Sequence, residues 1–418
     1  MPTTAKTDSV QTTQLPNGLT IVAEPMPQKQ AAAWAFLIPA GAANEPADRE
    51  GITTVLESLC YCGAGERDSR AFSDALDDLG VDRSGGAGSE YTTFSGATLG
   101  DYLPDALSLY ADLIRRPRLP ESEWEAQRDL ALQSLQSLED APARKMMVHL
   151  RRAYFPGPFG RSTLGNEADL QALTLDDLRA DHAARYLPDG AILALAGNLD
   201  FDKIVARATE LFGDWKGAAP PIGDAIPVQT PISQHIEQDT SQQQIGVIYC
   251  GVPATDPHIY DYRVAMSILS GGMGARLFTE VREKRGLVYS VSASAHTHRG
   301  CGFTMAYAGT TPDRSQETLD VLLAELERLD EGVSEAEVER ARVGMLSSLI
   351  MQEESSRSRA GAIARDQFML GRVRSLDEVT EAVQNVSPES IAAFTKERPT
   401  REFTVVTLGP KKLETPAA

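Results

Sequence analysis

Two stretches of this chain repeat each other with identical spacing, one in each half. Residues 119–135 and 333–349 both carry acidic side chains in a capping-box pattern and continue with apolar residues at helical spacing. The matched pairs are Glu123 with Glu337, Arg128 with Arg342 and Leu135 with Leu349. The repeat predicts the same helix twice and therefore two related domains.

Three further pairs of segments follow in the same order. Each half has an apolar strand running into a turn, a helix start and a buried strand ending at glycine. The pairs are 33–46 with 244–257, 173–178 with 386–391, and 191–197 with 403–409. Helices and strands alternate without a strict βαβ rhythm, so we expect an α+β fold in which helices cover one face of a mainly antiparallel sheet.

The segment between the halves, residues 216–232, is rich in proline and glycine, which prevents a regular element there. A chain of 418 residues has room for two domains of about 200 residues each. We therefore predict an N-terminal domain over 1–217, a linker over 218–232 and a C-terminal domain over 233–418.

Composition excludes several classes of protein. The formal net charge of −19 argues against binding nucleic acid through phosphate contacts. No apolar run approaches the roughly 20 residues of a membrane-spanning helix, and residues 1–14 resemble neither a secretory signal nor a transit peptide. Four cysteines suggest reduced thiols, so a cytoplasmic location is expected. The acidity either attracts basic peptides or only maintains solubility.

Residues 51–59 have the frame of a zinc-peptidase helix without its ligands. In the inverted zinc motif H-x-x-E-H, two imidazoles four residues apart hold the metal and the glutamate acts on a metal-bound water. Here Glu57 lies between Thr54 and Ser58. Neither hydroxyl is a competent zinc ligand near neutral pH. We therefore expect a peptidase scaffold that does not itself cut peptides.

Other motifs appear in a fixed order around this helix. They are the strand and "N-E-P" lead over 36–46, Asn17-Gly18-Leu19, Gly160-Arg161, Leu164-Gly165, Tyr186, the glycine-rich run 271–278 and the run 281–290. Together they resemble the M16 peptidases, which include pitrilysin, the insulin-degrading enzymes and the mitochondrial processing peptidase. The resemblance covers nearly the whole chain and implies two related α+β domains facing each other across a cavity.

The resemblance also implies a third zinc ligand, a glutamate on a later helix. The matching run 130–135 places Ser134 there, or Gln133 if the register slips by one, and a supporting acid falls near Gln127. None of these is a carboxylate, so we expect no metal in this chain. Glu57 is then expected to pair with Arg67 or Arg70.

Two other groups can be considered as metal ligands. Cys60 and Cys62 lie in an apolar stretch with no histidine within 80 residues, which favours core packing. His296 and His298 share one strand face and are expected to be exposed. Residues 271–274 lack the lysine and hydroxyl of a phosphate-binding loop and predict a turn between helices.

The second half retains residues that the family uses. The resemblance implies that Arg285 and Tyr289, in the "R-G-L-x-Y" motif, hydrogen-bond the substrate backbone and help to stabilise the oxyanion. A structural ion pair and simple packing are the alternatives.

This combination predicts a non-catalytic subunit of an M16-type zinc peptidase. It would contribute peptide binding and chamber formation to a zinc-bearing partner in a heterodimer, or pair with a second copy in a homodimer. Two alternatives remain open: a structural homologue like the core subunits of the respiratory bc1 complex, or a self-associating peptide-binding protein.

Overall fold

The computed structural model describes residues 10–221, 223, 225–227 and 230–415. Part of the predicted linker, residues 222, 224, 228 and 229, lies outside the described residues. The strands are β1 (Gln11–Gln14), β2 (Thr20–Pro25), β3 (Ala31–Ile38), β4 (Gly63–Ala64), β5 (Arg67–Asp68), β6 (Asp82–Ala87), β7 (Thr92–Leu99), β8 (Ile192–Gly197), β9 (Ser233–Glu237), β10 (Gln243–Cys250), β11 (Val288–His298), β12 (Cys301–Thr310) and β13 (Thr404–Gly409).

The α-helices lie between groups of these strands, with five in succession before β8 and five before β13. A π-helical segment over Phe278–Glu283 precedes β11. The helices are α1 (Ile52–Cys60), α2 (Ser69–Asp78), α3 (Leu103–Arg115), α4 (Glu121–Gln136), α5 (Pro142–Tyr154), α6 (Glu167–Ala172), α7 (Leu175–Arg185), α8 (Phe201–Phe212), α9 (Ile259–Ser270), α10 (Ser315–Glu327), α11 (Glu335–Glu353), α12 (Ser356–Leu370), α13 (Leu376–Gln384) and α14 (Pro388–Glu397). No helix in the described part of the chain is both long and apolar enough to span a membrane.

The described residues form two compact units. The first takes its residues from Met1–Gln136, Arg161–Gly223 and Met351–Ser375, and the second from Ser137–Gly160, Asp224–Ile350 and Leu376–Ala418. Helix α5 lies within the predicted N-terminal range 1–217 but belongs to the second unit. Helix α12 lies within the predicted C-terminal range 233–418 but belongs to the first unit.

The two units contain sheets of the same design. The first sheet has the order β1-β2-β8-β3-β7-β6 and the second the order β11-β12-β10-β13-β9. In each sheet all neighbouring strands are antiparallel except for one parallel pair, which is β2 with β8 in the first sheet and β9 with β13 in the second. Apart from β1, the order and the position of the parallel pair correspond strand by strand. The predicted α+β class and the two related sheets are confirmed.

The repeated helix differs between the halves at the residue that precedes it. In α11, Ser334 and Glu337 exchange hydrogen bonds in a capping box, with Ser334 N donating to Glu337 Oε2 at 2.8 Å. Pro120 stands at the corresponding position before α4 and has no hydroxyl to accept a bond. The capping box predicted for both segments is therefore present only in the second.

Each sheet carries helices on both faces, where the sequence predicted one. In the first unit, Ile363, Ala364 and Phe368 of α12 pack on the apolar face that includes Val22 and Leu37. The opposite face holds the larger core around Trp34, Phe36 and Phe94, with α1, α3 and α8. Strand β3 is apolar at all eight positions, and such a run is typical of a strand covered on both sides.

The second sheet is covered in the same way by α5. Gly246 of β10 allows this helix to approach closely, because a Cβ atom there would lie 2.2 Å from the sulfur of Met146. The face on the other side packs against α9 and α10 through residues such as Val247, Leu269 and Leu322.

Candidate functional site

Helix α1, which carries Thr54, Glu57 and Ser58, begins at a buried turn that the lead-in residues hold in place. Gly51 has φ +101°, and a Cβ there would lie 2.9 Å from the Cα of Gly165. Because Gly51 has no side chain to cap the helix, the Glu45 carboxylate accepts hydrogen bonds from Gly51 N at 3.0 Å and Thr53 N at 2.9 Å. The "N-E-P" glutamate is thus a helix cap.

A buried arginine connects this turn to α7. Arg185 donates to Asp181 Oδ1 at 2.7 Å, to Asn44 Oδ1 at 3.0 Å and to Thr53 Oγ1 at 2.9 Å. Its Nη1 also donates to the Gly41 carbonyl at 3.0 Å. The charge is paired and its donors are used, as a buried guanidinium requires. The scaffold of the zinc helix is therefore retained although the ligands are changed.

The two ligand positions on α1 hold hydroxyls that each donate a hydrogen bond to a protein oxygen. Thr54 Oγ1 donates to the Thr163 carbonyl at 2.5 Å. Ser58 Oγ donates to Glu57 Oε2 at 3.5 Å. Neutral alcohols of this kind do not hold zinc, which requires imidazole, thiolate or carboxylate donors.

The helix of the predicted third ligand, α4, packs against α1. Ser134 lies on its exposed side and its Oγ donates to the Leu130 carbonyl at 2.9 Å, and Gln133 is exposed. Gln127 donates its amide to the sulfur of Cys62 at 3.5 Å. The structure thus brings together the two helices that the resemblance implies, and the residues on them do not fit a zinc ion.

Glu57 has a different environment from the one predicted. Arg67 pairs with Asp112 and Arg70 with Asp74, each at 3.7 Å, so neither arginine pairs with Glu57. Burial raises the pKa of Glu57 to about 7, against the opposing effects of the Ser58 hydrogen bond and the charge of Arg83. The predicted pairing was wrong because both arginines pair with aspartates instead, and the cation near Glu57 is Arg83 of β6.

Strand β6 is a feature of the site that the sequence analysis missed. It lies at the edge of the first sheet, pairs with β7, and contacts α1. Its residues Asp82–Gly85 are exposed. An edge strand presents unpaired backbone groups to which an extended peptide can add as a further strand. The signal in the sequence is the Ser84-Gly85-Gly86 run, which lacks bulky side chains.

The other candidate ligands are occupied by packing. Cys60 and Cys62 are both buried, and burial raises the pKa of the Cys60 thiol. Among the described residues, no three His, Cys, Asp or Glu side chains lie close enough to hold a metal ion.

The histidine pair of β11 is only partly as expected. His298 is buried, not exposed: its Nε2 accepts a hydrogen bond from Arg151 at 2.7 Å, and its ring packs 5.0 Å from that of Phe159. His296 is exposed and stacks on Phe303 at 5.3 Å. The two rings share one strand face, as predicted, and both contact aromatic side chains of the second unit, which bury His298 but leave His296 exposed.

Arg285 and Tyr289 lie in the second unit, on either side of Gly286. Arg285 Nη1 donates to the carbonyl of Glu280 at 2.8 Å and to its Oε2 at 3.1 Å, and 39% of the side chain stays exposed. Tyr289 is 81% exposed, and the guanidinium of Arg282 lies 5.4 Å from its ring centroid. Glu280 thus orients the guanidinium, while the phenol contributes little to the core. Nothing in these contacts assigns them a role in binding.

Comparison with known proteins agrees with this geometry. The family model described as Insulinase (Peptidase family M16) matches residues 20–167, and the one described as Peptidase M16 inactive domain matches residues 172–345. An uncharacterized zinc protease of Mycobacterium tuberculosis is 28% identical over 409 residues, covering 95% of this chain and 92% of that protein. An uncharacterized zinc protease of Bacillus subtilis is 26% identical over 398 residues, covering 94% and 97%.

Two solved structures share the fold. A peptidase M16 inactive domain from Pseudomonas fluorescens superposes with a TM-score of 0.90 at 23% identity, covering 97% of this chain and 100% of that one. A protease from Helicobacter pylori superposes with a TM-score of 0.86 at 18% identity, covering 96% of this chain and 99% of that one. Since one family matches both halves and its helix frame persists around Glu57, this chain belongs to the M16 peptidase family, with the inactive domain of that family in its second half.

Proposed function

We propose that this chain is the non-catalytic subunit of an M16-type zinc peptidase. The observation that carries the proposal is the pair of hydroxyls, Thr54 and Ser58, on helix α1, which keeps its Glu45 cap and its hydrogen bond to the buried Arg185–Asp181 ion pair of α7. A scaffold preserved in this detail without metal ligands favours a role beside an active subunit. The relatives named zinc proteases support a link to peptide cleavage.

The first unit offers a surface for an extended peptide. Strand β6 is the terminal strand of its sheet and is exposed over most of its length. A peptide added along β6 would gain backbone hydrogen bonds that do not depend on its sequence. This surface would form part of the wall of a chamber shared with the partner.

The second unit would supply Arg285 and Tyr289 to a peptide held at the partner's zinc. A fixed guanidinium and a phenol can polarise a carbonyl without transferring a proton. Glu280 prepares Arg285 for this task, because two hydrogen bonds restrict the guanidinium while part of it stays open to solvent. The partner, a subunit with H-x-x-E-H, would supply the metal and its water.

The partner is expected to be a different chain. A second copy would again present Thr54 and Ser58, so a homodimer could bind peptides without cutting them. We place the complex in the cytoplasm, consistent with the four cysteines, all of which are free.

Mixing the chain with a short M16 subunit that carries H-x-x-E-H tests the proposal. The expected result is a complex whose kcat/KM for an unstructured peptide exceeds that of either subunit alone. Arg285→Ala and Tyr289→Phe should each lower kcat/KM of the complex by roughly ten- to a thousandfold, while the affinity between the subunits stays unchanged.

Two exposed residues of the first unit provide matched controls. Arg70→Ala removes a guanidinium from a side chain that is 91% exposed, and Tyr102→Phe removes the hydroxyl of a residue that is 43% exposed. Both should leave kcat/KM unchanged. Full activity in the Arg285→Ala and Tyr289→Phe complexes would remove the pair from the mechanism. A chain that binds no zinc-bearing subunit would instead be a structural or peptide-binding homologue.

A further inference from the structure

The second unit contains a cavity that none of the family motifs reaches. It has a volume of about 230 Å³ and lies between the end of β10, helix α9 and the end of α14. Apolar and aromatic side chains form most of its wall, including Tyr249, Val252, Tyr262, Met266, Leu329 and Phe394. An apolar cavity of about 150 Å³ is large enough for benzene, so this one has room for a larger ring system.

A buried hydroxyl in the wall lacks a hydrogen-bond partner. Tyr249 is only 4% exposed, and its Oη makes no hydrogen bond within the described part of the chain. The Thr304 hydroxyl lies close enough to Tyr249 Oη to lower the pKa of the phenol against the larger opposing effect of burial, but its hydrogen bond at 2.6 Å joins it to Tyr262 Oη, so Tyr249 Oη has no well-formed bond of its own. Leaving such a group unpaired costs free energy, and a ligand with one polar atom would recover it.

The thiol of Cys250 and the guanidinium of Arg398, which is in an ion pair, lie at the mouth of the cavity. Cys250 lines it and is the exposed cysteine of the four in the chain. Arg398 also lines it, and its guanidinium pairs with Asp256 at 2.9 Å. Because that cation is already paired, the site does not call for an anionic ligand.

Gly251 allows the end of β10 to pack closely against Tyr262 in the cavity wall. A Cβ atom on Gly251 would lie 2.3 Å from Tyr262 Oη and 2.9 Å from the backbone nitrogen of Phe303. The strand end therefore packs directly against the tyrosine, which sets the shape of the cavity.

We propose that this cavity binds a neutral aromatic ring system of one or two rings that carries a single hydrogen-bonding atom, which pairs with Tyr249 Oη. The aromatic walls favour edge and stacked contacts with such a ring, and the sulfur of Met266 adds to them. The ring belongs either to a free small molecule or to an aromatic side chain of a peptide. The site is independent of the proposed role beside a zinc-bearing subunit.

Cys250 provides the readout, with indole as the probe. Although Cys250 is exposed as a residue, partial desolvation of its sulfur raises the pKa of the thiol, so alkylation by N-ethylmaleimide is measured at pH 8.5 with and without indole. Indole should slow alkylation of Cys250 in a saturable manner. Calorimetry should give a matching dissociation constant. Tyr249→Phe should weaken binding by roughly three- to tenfold through loss of one hydrogen bond.

Two further arms make the result decisive. Cys250→Phe places a ring over the mouth and should abolish the calorimetric signal while the circular dichroism spectrum stays unchanged. An unstructured peptide with one tryptophan, compared with the same peptide carrying leucine, identifies the source: protection by the tryptophan peptide indicates a side chain, and protection by indole alone indicates a free molecule. The proposal would be overturned if neither indole nor the tryptophan peptide slowed alkylation of Cys250 at millimolar concentration. Binding of indole that Cys250→Phe leaves intact would also overturn it.

Discussion

At the scale of single residues, Glu57 shows what the loss of metal ligands leaves behind. Its carboxyl group lies in a largely apolar environment, with Arg83 as the cation that affects its pKa. The sequence predicts that Glu57 sits on a helix between two hydroxyls. It does not predict Arg83 as the neighbour, because that contact depends on how β6 pairs in the sheet.

Replacing Glu57 should stabilise the protein above neutral pH. The pKa of Glu57 is raised from 4.5 to about 7, so the folded state holds a proton that the unfolded state releases, and stability falls as pH rises from 4.5 through 7. Glu57→Gln should therefore raise the free energy of unfolding at pH 8 by on the order of 2 kcal/mol and change it little at pH 4. Urea unfolding at the two pH values measures this.

The exposed Glu66 is the matched control for that comparison. Glu66→Gln should leave stability unchanged at both pH values. An equal effect of Glu57→Gln at pH 4 and pH 8 would contradict the account of its environment.

At the scale of elements, the repeat and the strands could be predicted from the sequence. The helices that cover the other face of each sheet could not. Apolar runs such as 192–197 and 404–409 are fully buried strands, as predicted. Helix α12 has an apolar side formed by Ile363, Ala364 and Phe368. Such a pattern indicates a packed helix but does not indicate which sheet it covers, since both sheets have apolar second faces.

The contact between α1 and α4 can be tested by restoring the metal ligands. Thr54→His, Ser58→His and Ser134→Glu, combined in one variant, should bind about one zinc ion per chain, because the two helices pack together and would present two imidazoles and a carboxylate. Loss of the Thr54 hydrogen bond should cost about 1 kcal/mol of stability. Atomic emission after gel filtration measures the zinc.

The same variant with Ser134→Gln is the control and should bind zinc more weakly. A version with Gln133→Glu in place of Ser134→Glu tests the alternative register. Absence of zinc in both carboxylate variants, with folding intact, would mean that α4 does not present these positions to α1.

At the scale of the whole molecule, each unit includes a helix from the other half of the sequence. The first unit includes Met351–Ser375 and the second includes Ser137–Gly160. Sequence similarity between halves predicted two domains but not this exchange, because the repeat itself is preserved whichever sheet α5 and α12 cover. The boundary near residue 217 was suggested by proline and glycine alone.

A fragment of residues 1–217 should therefore fail to behave as an independent domain. It lacks α12, so Val22, Leu37 and the rest of that apolar face would be exposed. We expect strong binding of a hydrophobic dye and a non-cooperative thermal transition, both reduced when a peptide of residues 351–375 is added. Cooperative unfolding of the fragment alone, at the temperature of the full chain, would contradict the exchange.

The zinc content of the full chain, purified alone and without chelators, tests the central claim most directly. Thr54, Ser58 and Ser134 supply only hydroxyls where a zinc peptidase has imidazoles and a carboxylate. The expected result is far less than one zinc ion per chain, even after incubation with equimolar zinc. One tightly held zinc ion per chain, lost when Thr54 and Ser58 are replaced by alanine, would contradict the account.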